Sequence, residues 1–254
     1  MSDRTFLPSL VIVGVLAGAV AVVRAQGTAD ARPPRVQSRG PAPSLARPTS
    51  PAKAPNADGF LQRWLVLEPI RVSGQLTDSA VQAAVKTEYF PDQLTTIPRD
   101  GDTLSVAPST GLGAREARVG WHAVDTIGYN VNLYHFAYAL NKPTSNVLFW
   151  VVTIVNAPRE LSGVRLAIGS NAASVWWVNG QEVIGIYNER QTVIDDGVSK
   201  RLTLKRGPNV VRGAIVNAGG HTDFCARFLD DQDRPLKGIT VSVTAPSMTG
   251  GSLK

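Results

Sequence analysis

"SVWWVNGQEV", Ser174–Val183, sets two tryptophans side by side just ahead of an Asn-Gly pair. Asn-Gly between apolar runs is the strongest short hairpin signal, because a type I′ turn needs positive φ at both central residues. A two-residue loop also fixes the register: Val178 faces Gln181, Trp177 faces Glu182, Trp176 faces Val183 and Val175 faces Ile184. Successive side chains of a strand point to opposite faces of a sheet, so the tryptophans cannot both serve one core. One face is expected to carry Val175, Trp177, Ile184 and Ile186 and to be buried. The other is expected to carry Ser174, Trp176, Val178, Gln181, Val183 and Tyr187. Two readings of Trp176 follow. It is covered by a helix or loop, or it forms with Tyr187 an exposed aromatic platform.

Working outward, short apolar runs separated by turn residues continue on both sides. They include "RWLVLEPIRV" (63–72, broken by Pro69), "VGWHAVD" (119–125), "FAYALN" (136–141), "VLFWVVTIVN" (147–156) and "VRLAIGS" (164–170). Beyond the hairpin follow "KRLTLKRG" (200–207), "NVVRGAIVN" (209–217), "DFCARFLD" (223–230) and "ITVSVT" (239–244), with Gly207-Pro208 marking a second turn. This spacing predicts strands and an antiparallel sandwich. One helix is predicted, in "LTDSAVQAAVKTEYF", capped by Thr77 or Asp78 and stopped by Pro91. Strands do not alternate with helices, which excludes a doubly wound parallel sheet.

The N-terminus reads differently. Arg4 precedes an apolar run, Leu10 to Val23, and Val23-Arg24-Ala25 offers a small-residue cleavage site, so residues 1–25 are expected to be a signal peptide. The run lies near the lower length for a span, which leaves an uncleaved membrane anchor as the alternative. Residues 26–58 are rich in Pro, Ala, Ser and Arg and are expected to be a disordered linker, with the domain over 59–245 and a flexible tail over 246–254. Residues 1–58 hold seven Lys/Arg against three acids, 7 − 3 = +4, so the rest of the +6 chain carries 6 − 4 = +2. The basic charge is therefore mostly the tail's, and it gives no ground for a nucleic-acid surface on the domain. A membrane contact is expected only through an uncleaved N-terminus, and the protein is expected to be periplasmic or secreted. Its single cysteine, Cys225, excludes an internal disulfide and reads as a small buried apolar side chain.

The segments "VRLAIGSNAASVWWVNGQEV", Glu189-Arg190, Asp195-Asp196, "LTLKRGPNVVRGAIVN" and "FCARFLDDQDRPLKG" together resemble a known family. They are similar to the jelly roll of the galactose-binding-like superfamily, above all the carbohydrate-binding-module-like domains attached to secreted bacterial hydrolases and other exported enzymes. The family's "V-W-x-N-G" strand end, "L-x-x-G-x-N" hairpin and "F-x-x-R-x-x-D" strand all have counterparts here. The resemblance implies an all-β, galactose-binding-like jelly-roll sandwich whose members bind sugars, bind other partners, or hold a multidomain enzyme together. Where the family shows acids after Gly169-Ser170, this chain has Asn171-Ala172-Ala173, which removes any ligand contact those acids make.

No catalytic signature is present: no G-x-S-x-G, no H-E-x-x-H, no C-x-x-C and no phosphate-binding loop. His122, His135 and His221 are scattered. Asp230, Asp231 and Asp233 leave a structural calcium open, although a solvated turn fits better beside Arg234; no other cofactor or metal is expected. The residues expected to contact ligand are Trp176, Tyr187, Arg190 and Asp195. Arg190 with Asp195 or Asp196 also reads as an ion pair ordering a loop. The sequence thus points to a non-catalytic exported binding module for carbohydrate or an exported partner protein. A secreted hydrolase, esterase or glycosidase, and a purely structural assembly domain are the alternatives.

Overall fold

The computed structural model describes residues 45–106 and 117–244. The expected signal peptide, the linker up to Ser44 and the tail after Thr244 lie outside the described residues. In chain order the strands are β1 (Leu45–Ala46), β2 (Ala52–Lys53), β3 (Arg63–Leu67), β4 (Ile70–Arg71), β5 (Thr103–Val106), β6 (Ala117–Thr126), β7 (Val131–Asn132) and β8 (Val147–Ala157). They continue as β9 (Leu161–Ser170), β10 (Ala173–Val178), β11 (Gln181–Ile186), β12 (Gly197–Val198), β13 (Leu202–Leu204), β14 (Gly207–Asn217), β15 (Asp223–Leu229) and β16 (Thr240–Ser242). The helices are α1 (Asp78–Lys86) and α2 (Leu133–Ala139).

Every strand pair is antiparallel. The larger sheet runs β1-β6-β3-β8-β14-β10-β11, and the smaller runs β12-β9-β15-β7 with β13 beside β9. One apolar cluster fills the space between the sheets, with Val151, Val155 and Ile215 from the larger and Leu166, Ile168, Phe224 and Phe228 from the smaller. The chain is the all-β sandwich that the strand spacing predicts. A second cluster lies on the outer face of the larger sheet, where Val81 and Val85 of α1 and Tyr89 and Phe90 cover Trp121, Trp150 and Trp177. The larger sheet is therefore apolar on both faces, which explains why "VLFWVVTIVN" reads as a continuous rather than alternating run. The turn through Arg206 and Gly207 carries the chain from β13 in the smaller sheet to β14 in the larger.

The Asn179-Gly180 turn is as expected, with φ of 51° and 81°, and it pairs Val178 with Gln181 and Trp177 with Glu182. The register then shifts by one, so Trp176 pairs with Ile184, Val175 with Gly185 and Ser174 with Ile186. A bulge at Val183 moves Ile184 and Ile186 from Trp177's face to Trp176's. Both tryptophans are buried, on opposite faces of the sheet. Trp176 is 0% exposed between the sheets and Trp177 is 7% exposed beneath α1 and its flanking loop. Trp176 stands edge-on to Trp64 at 5.9 Å, lies 5.1 Å from Phe224, and donates its Nε1–H to Ser174 Oγ at 2.9 Å. Its six-membered ring lies against Gly213 on the neighbouring strand, where a Cβ would come within 2.5 Å of it.

Two further expectations are corrected. "FAYALN" belongs to α2, not to a strand: Leu133, Phe136 and Ala137 are buried at helical spacing, and Asn132 caps the helix by accepting from the His135 N–H at 2.8 Å. The linker expected over 26–58 is ordered in its described part. β1 pairs with β6, β2 pairs with β16, and Leu45 is buried. The cause is a charge on the domain. Arg63, only 1% exposed, binds both Asp125 oxygens at 2.8 Å and needs Ser50, whose carbonyl accepts its Nη1–H at 2.6 Å. A buried guanidinium left with free donors is costly, so the segment that supplies the acceptors is held down.

Candidate functional site

One end of the sandwich gathers the loops that end β9, begin β15, follow β6 and follow β11. The loop after β11 is built on backbone hydrogen bonds and ion pairs. The Arg190 N–H donates to Asn171 O at 3.1 Å. The Arg190 guanidinium donates to Asp196 at 2.7 Å and to Tyr187 O at 2.6 Å. Asp195, at φ 59°, is clamped by the guanidinium of Arg227, whose Nε–H lies 2.9 Å from one of its oxygens. The Val193 carbonyl lies against Gly169, where a Cβ would stand 2.2 Å from it, so glycine there admits the loop.

Asp223 joins this loop to the one after β6. Its carboxylate accepts from Asn130 Nδ2 at 2.6 Å and from Thr192 Oγ1, while its N–H donates to Asn171 Oδ1 at 2.9 Å. Asn171 Nδ2 in turn donates to His221 O at 2.6 Å. The Asn171 turn therefore ties the Asp223 network to the loop that carries His221.

Beside it lies an aromatic surface. Tyr134 and Tyr138, four apart on α2, hold their rings within 7° of parallel with centroids 6.2 Å apart. His221 lies 5.5 Å from Tyr134 and His135 lies 6.0 Å from it. Both histidines are exposed and both tyrosines half-buried. Among the described residues none of these four side chains donates or accepts a hydrogen bond, so their polar atoms face solvent.

Of the four residues singled out from sequence, the structure brings Arg190 and Asp195 to this end, in separate ion pairs with Asp196 and Arg227. The loop-ordering role is the one their geometry shows. Tyr187 is half-buried on the other face of the larger sheet, its hydroxyl accepting from Gln82 Nε2 at 2.7 Å. Trp176 is wholly inside the core and offers no surface, because the Val183 bulge completes an apolar face around it. Tyr134, Tyr138 and His221 were not singled out; the period of Leu133, Phe136 and Ala137 is the signal that would have put both tyrosines on one helix face.

The remaining chemistry is structural. His122 Nε2 meets Glu68 at 3.1 Å and Lys142 reaches the other Glu68 oxygen at 2.7 Å. Desolvation pushes the Glu68 carboxyl up, but the hydrogen bonds from Lys142 and His122 outweigh it and hold the pKa below the ordinary value. Cys225 is buried, and desolvation raises its thiol to about 11. Asp230 accepts from the Arg234 and Gln232 backbone and from the Arg234 guanidinium, which lower its pKa, and Asp233 pairs with Arg165 and Arg201. These acids point at arginines and not at a common centre. Among the described residues no three His, Cys, Asp or Glu side chains are grouped to hold a metal ion. No helix among the described residues is long and apolar enough to cross a membrane.

No protein-family model matches the chain, and no curated protein does. Among solved structures it is similar to the PA14 domain of the antifreeze protein MpAFP, at 12% identity and TM-score 0.35 over 66% of this chain and 81% of that one. It is similar to the PA14 sugar-binding domain from an RTX adhesin, at 13% identity and TM-score 0.36 over 69% of this chain and 94% of that one. A family 35 carbohydrate binding module from Clostridium thermocellum also matches, at 15% identity and TM-score 0.24 over 50% of this chain and 88% of that one.

Proposed function

We propose that the chain is a non-catalytic binding module that takes a carbohydrate on the aromatic surface of α2. The observation that carries this reading is the pair of near-parallel rings, Tyr134 and Tyr138, on the exposed side of one short helix. A pyranose offers an apolar C–H face to such rings, while its hydroxyls need donors and acceptors at the rim. His135, His221 and the tyrosine hydroxyls supply them at no cost in broken protein hydrogen bonds. The surface is backed by Phe136 and Leu133 in the core and by the Asn171–Asp223 network, so it is held in shape before ligand arrives. The N-terminal apolar run supports export of the module to the periplasm or beyond.

The test is a glycan array on the full chain, followed by titration calorimetry on any sugar retained. Tyr134→Ala with Tyr138→Ala should abolish retention while moving the unfolding midpoint only slightly, since both rings are partly in water. Retention that survives the double substitution, or an array with no bound glycan, overturns the reading.

A further inference from the structure

Two guanidinium groups are buried among the described residues, Arg63 and Arg212, and their surroundings differ. Arg63 has both Asp125 oxygens and the Ser50 carbonyl. Arg212, on β14 and 2% exposed, has only the Thr96 carbonyl, which accepts its Nη2–H at 2.6 Å; its Nη1 meets no acceptor. No carboxylate among the described residues compensates its charge. Burial alone moves its pKa, down to about 10, so the group stays charged at neutral pH. A buried cation with neither a counter-ion nor a full set of acceptors is costly, and an anion answers both needs at once.

The same face supplies a second donor. On the outer side of the larger sheet Arg212 stands between Val152 of β8 and Trp177 of β10. Trp150, two residues from Val152, shares that side, so it is a diagonal neighbour of Arg212, about 7–8 Å away along the backbone and within reach of a long side chain. It is wholly buried, packed on Trp177 and Phe90, and its Nε1–H also meets no acceptor. A buried indole N–H ordinarily finds a partner. The surroundings set the chemistry of the guest. Val152, Ala214 and Phe90 add no hydrogen bonds, so a divalent oxyanion would bring excess charge and bare oxygens, whereas a halide cancels one guanidinium and needs few donors. The cover is thin: Leu94, Thr95 and Thr96 of the loop over Arg212 are exposed, which gives a small ion a short way in. We propose that Arg212 Nη1 and Trp150 Nε1 together hold a small monovalent anion of the halide class, such as chloride, beneath the loop 91–96. The inference does not rest on the sugar reading.

The experiment titrates sodium bromide into the full chain held in sodium gluconate, at constant ionic strength; gluconate is too large to enter. All five tryptophans are buried, so free bromide quenches them weakly. Bromide bound beside Trp150 and Trp177 should quench part of the emission along a saturating curve, and the urea midpoint should rise and level off over the same range. Arg212→Met keeps an apolar chain of similar length and removes the charge. It should abolish both responses and, in gluconate, be at least as stable as the wild type. Anomalous diffraction from crystals grown in bromide should place the ion against both nitrogens. A site that takes only water gives linear quenching and the same midpoint in bromide and gluconate, which overturns the inference on the wild type alone. Equal responses in Arg212→Met, or a bromide peak away from Arg212, overturn it as well.

Discussion

Replacing Trp176 tests the core and its bulge together. The side chain buries about 200 Å², which at ~25 cal/mol per Å² is about 5 kcal/mol, an upper figure because the unfolded chain already hides part of it. Losing the Nε1–H also leaves Ser174 Oγ without that donor in a fully buried position, worth about 1 kcal/mol. Trp176→Ala should therefore cost about 4–5 kcal/mol, at the upper end for such truncations. In a domain of this size that lowers the midpoint by roughly 8 to 20 °C. Gly213→Ala sharpens the test, since its methyl would stand 2.5 to 2.7 Å from three atoms of the Trp176 ring, an overpacking cost of about 1–3 kcal/mol. In the Trp176→Ala background the same methyl enters the space the ring left, and Gly213→Ala should become neutral or stabilising. Urea unfolding of the four proteins gives a coupling of about 1–3 kcal/mol. An additive cycle, or a Trp176→Ala loss below about 1 kcal/mol, would show that Trp176 is not packed on Gly213 between the sheets.

A chain beginning at Asp58 should melt several degrees below one beginning at Leu45, because it loses Leu45 from the core and Ser50 from the Arg63 guanidinium; equal midpoints would show that the segment packs without stabilising. Glu68 has a lowered folded pKa, so its contribution is present above the ordinary glutamate value and is lost as pH falls through the folded one. Lys142→Met should therefore flatten the acid limb of a stability-versus-pH curve measured by urea unfolding, and an unchanged limb would remove Glu68 from that dependence. Gly180→Ala puts a side chain at φ 81° with no atom within 4 Å. It should cost about 1 kcal/mol through backbone strain alone, read as a shift in urea midpoint at constant slope.

The hairpin shows how far the sequence could be read. The turn and its first two residue pairs follow from Asn179-Gly180, since the chemistry of the turn acts on its neighbours. Val183 looks like any other apolar strand residue, and a bulge leaves no mark in composition, so the sequence reading exchanges the faces of Ile184 and Ile186 and leaves Trp176 open between a covered and an exposed position. Strand existence was legible wherever apolar runs exceeded about five residues. The two-residue strands β1, β2, β7 and β12 were not, because they exist through pairing with partners distant in the chain. Residues 45–57 carry the Pro-rich composition of a linker and are ordered by β6, Arg63 and β16, partners that no local pattern contains. The end of the sandwich where Arg190 and Asp195 lie was found from the family's motif, whereas the tyrosines of α2 were hidden behind a helix read as a strand.

The pairing of β2 with β16 sets an order of events. Lys53 lies opposite Val241, a separation of 241 − 53 = 188 residues. Closing so wide a loop is entropically expensive and slow. It also cannot begin until nearly the last residues of the domain have left the ribosome. Until then Ala52 and Lys53 have no strand to pair with, whereas Leu45 and Ala46 already have β6 and Arg63 already has Asp125 and Ser50. The last edge to form thus joins the start of the domain to its end, so a chain that stops short of Val241 leaves Ala52–Lys53 without its strand partner and open to proteases.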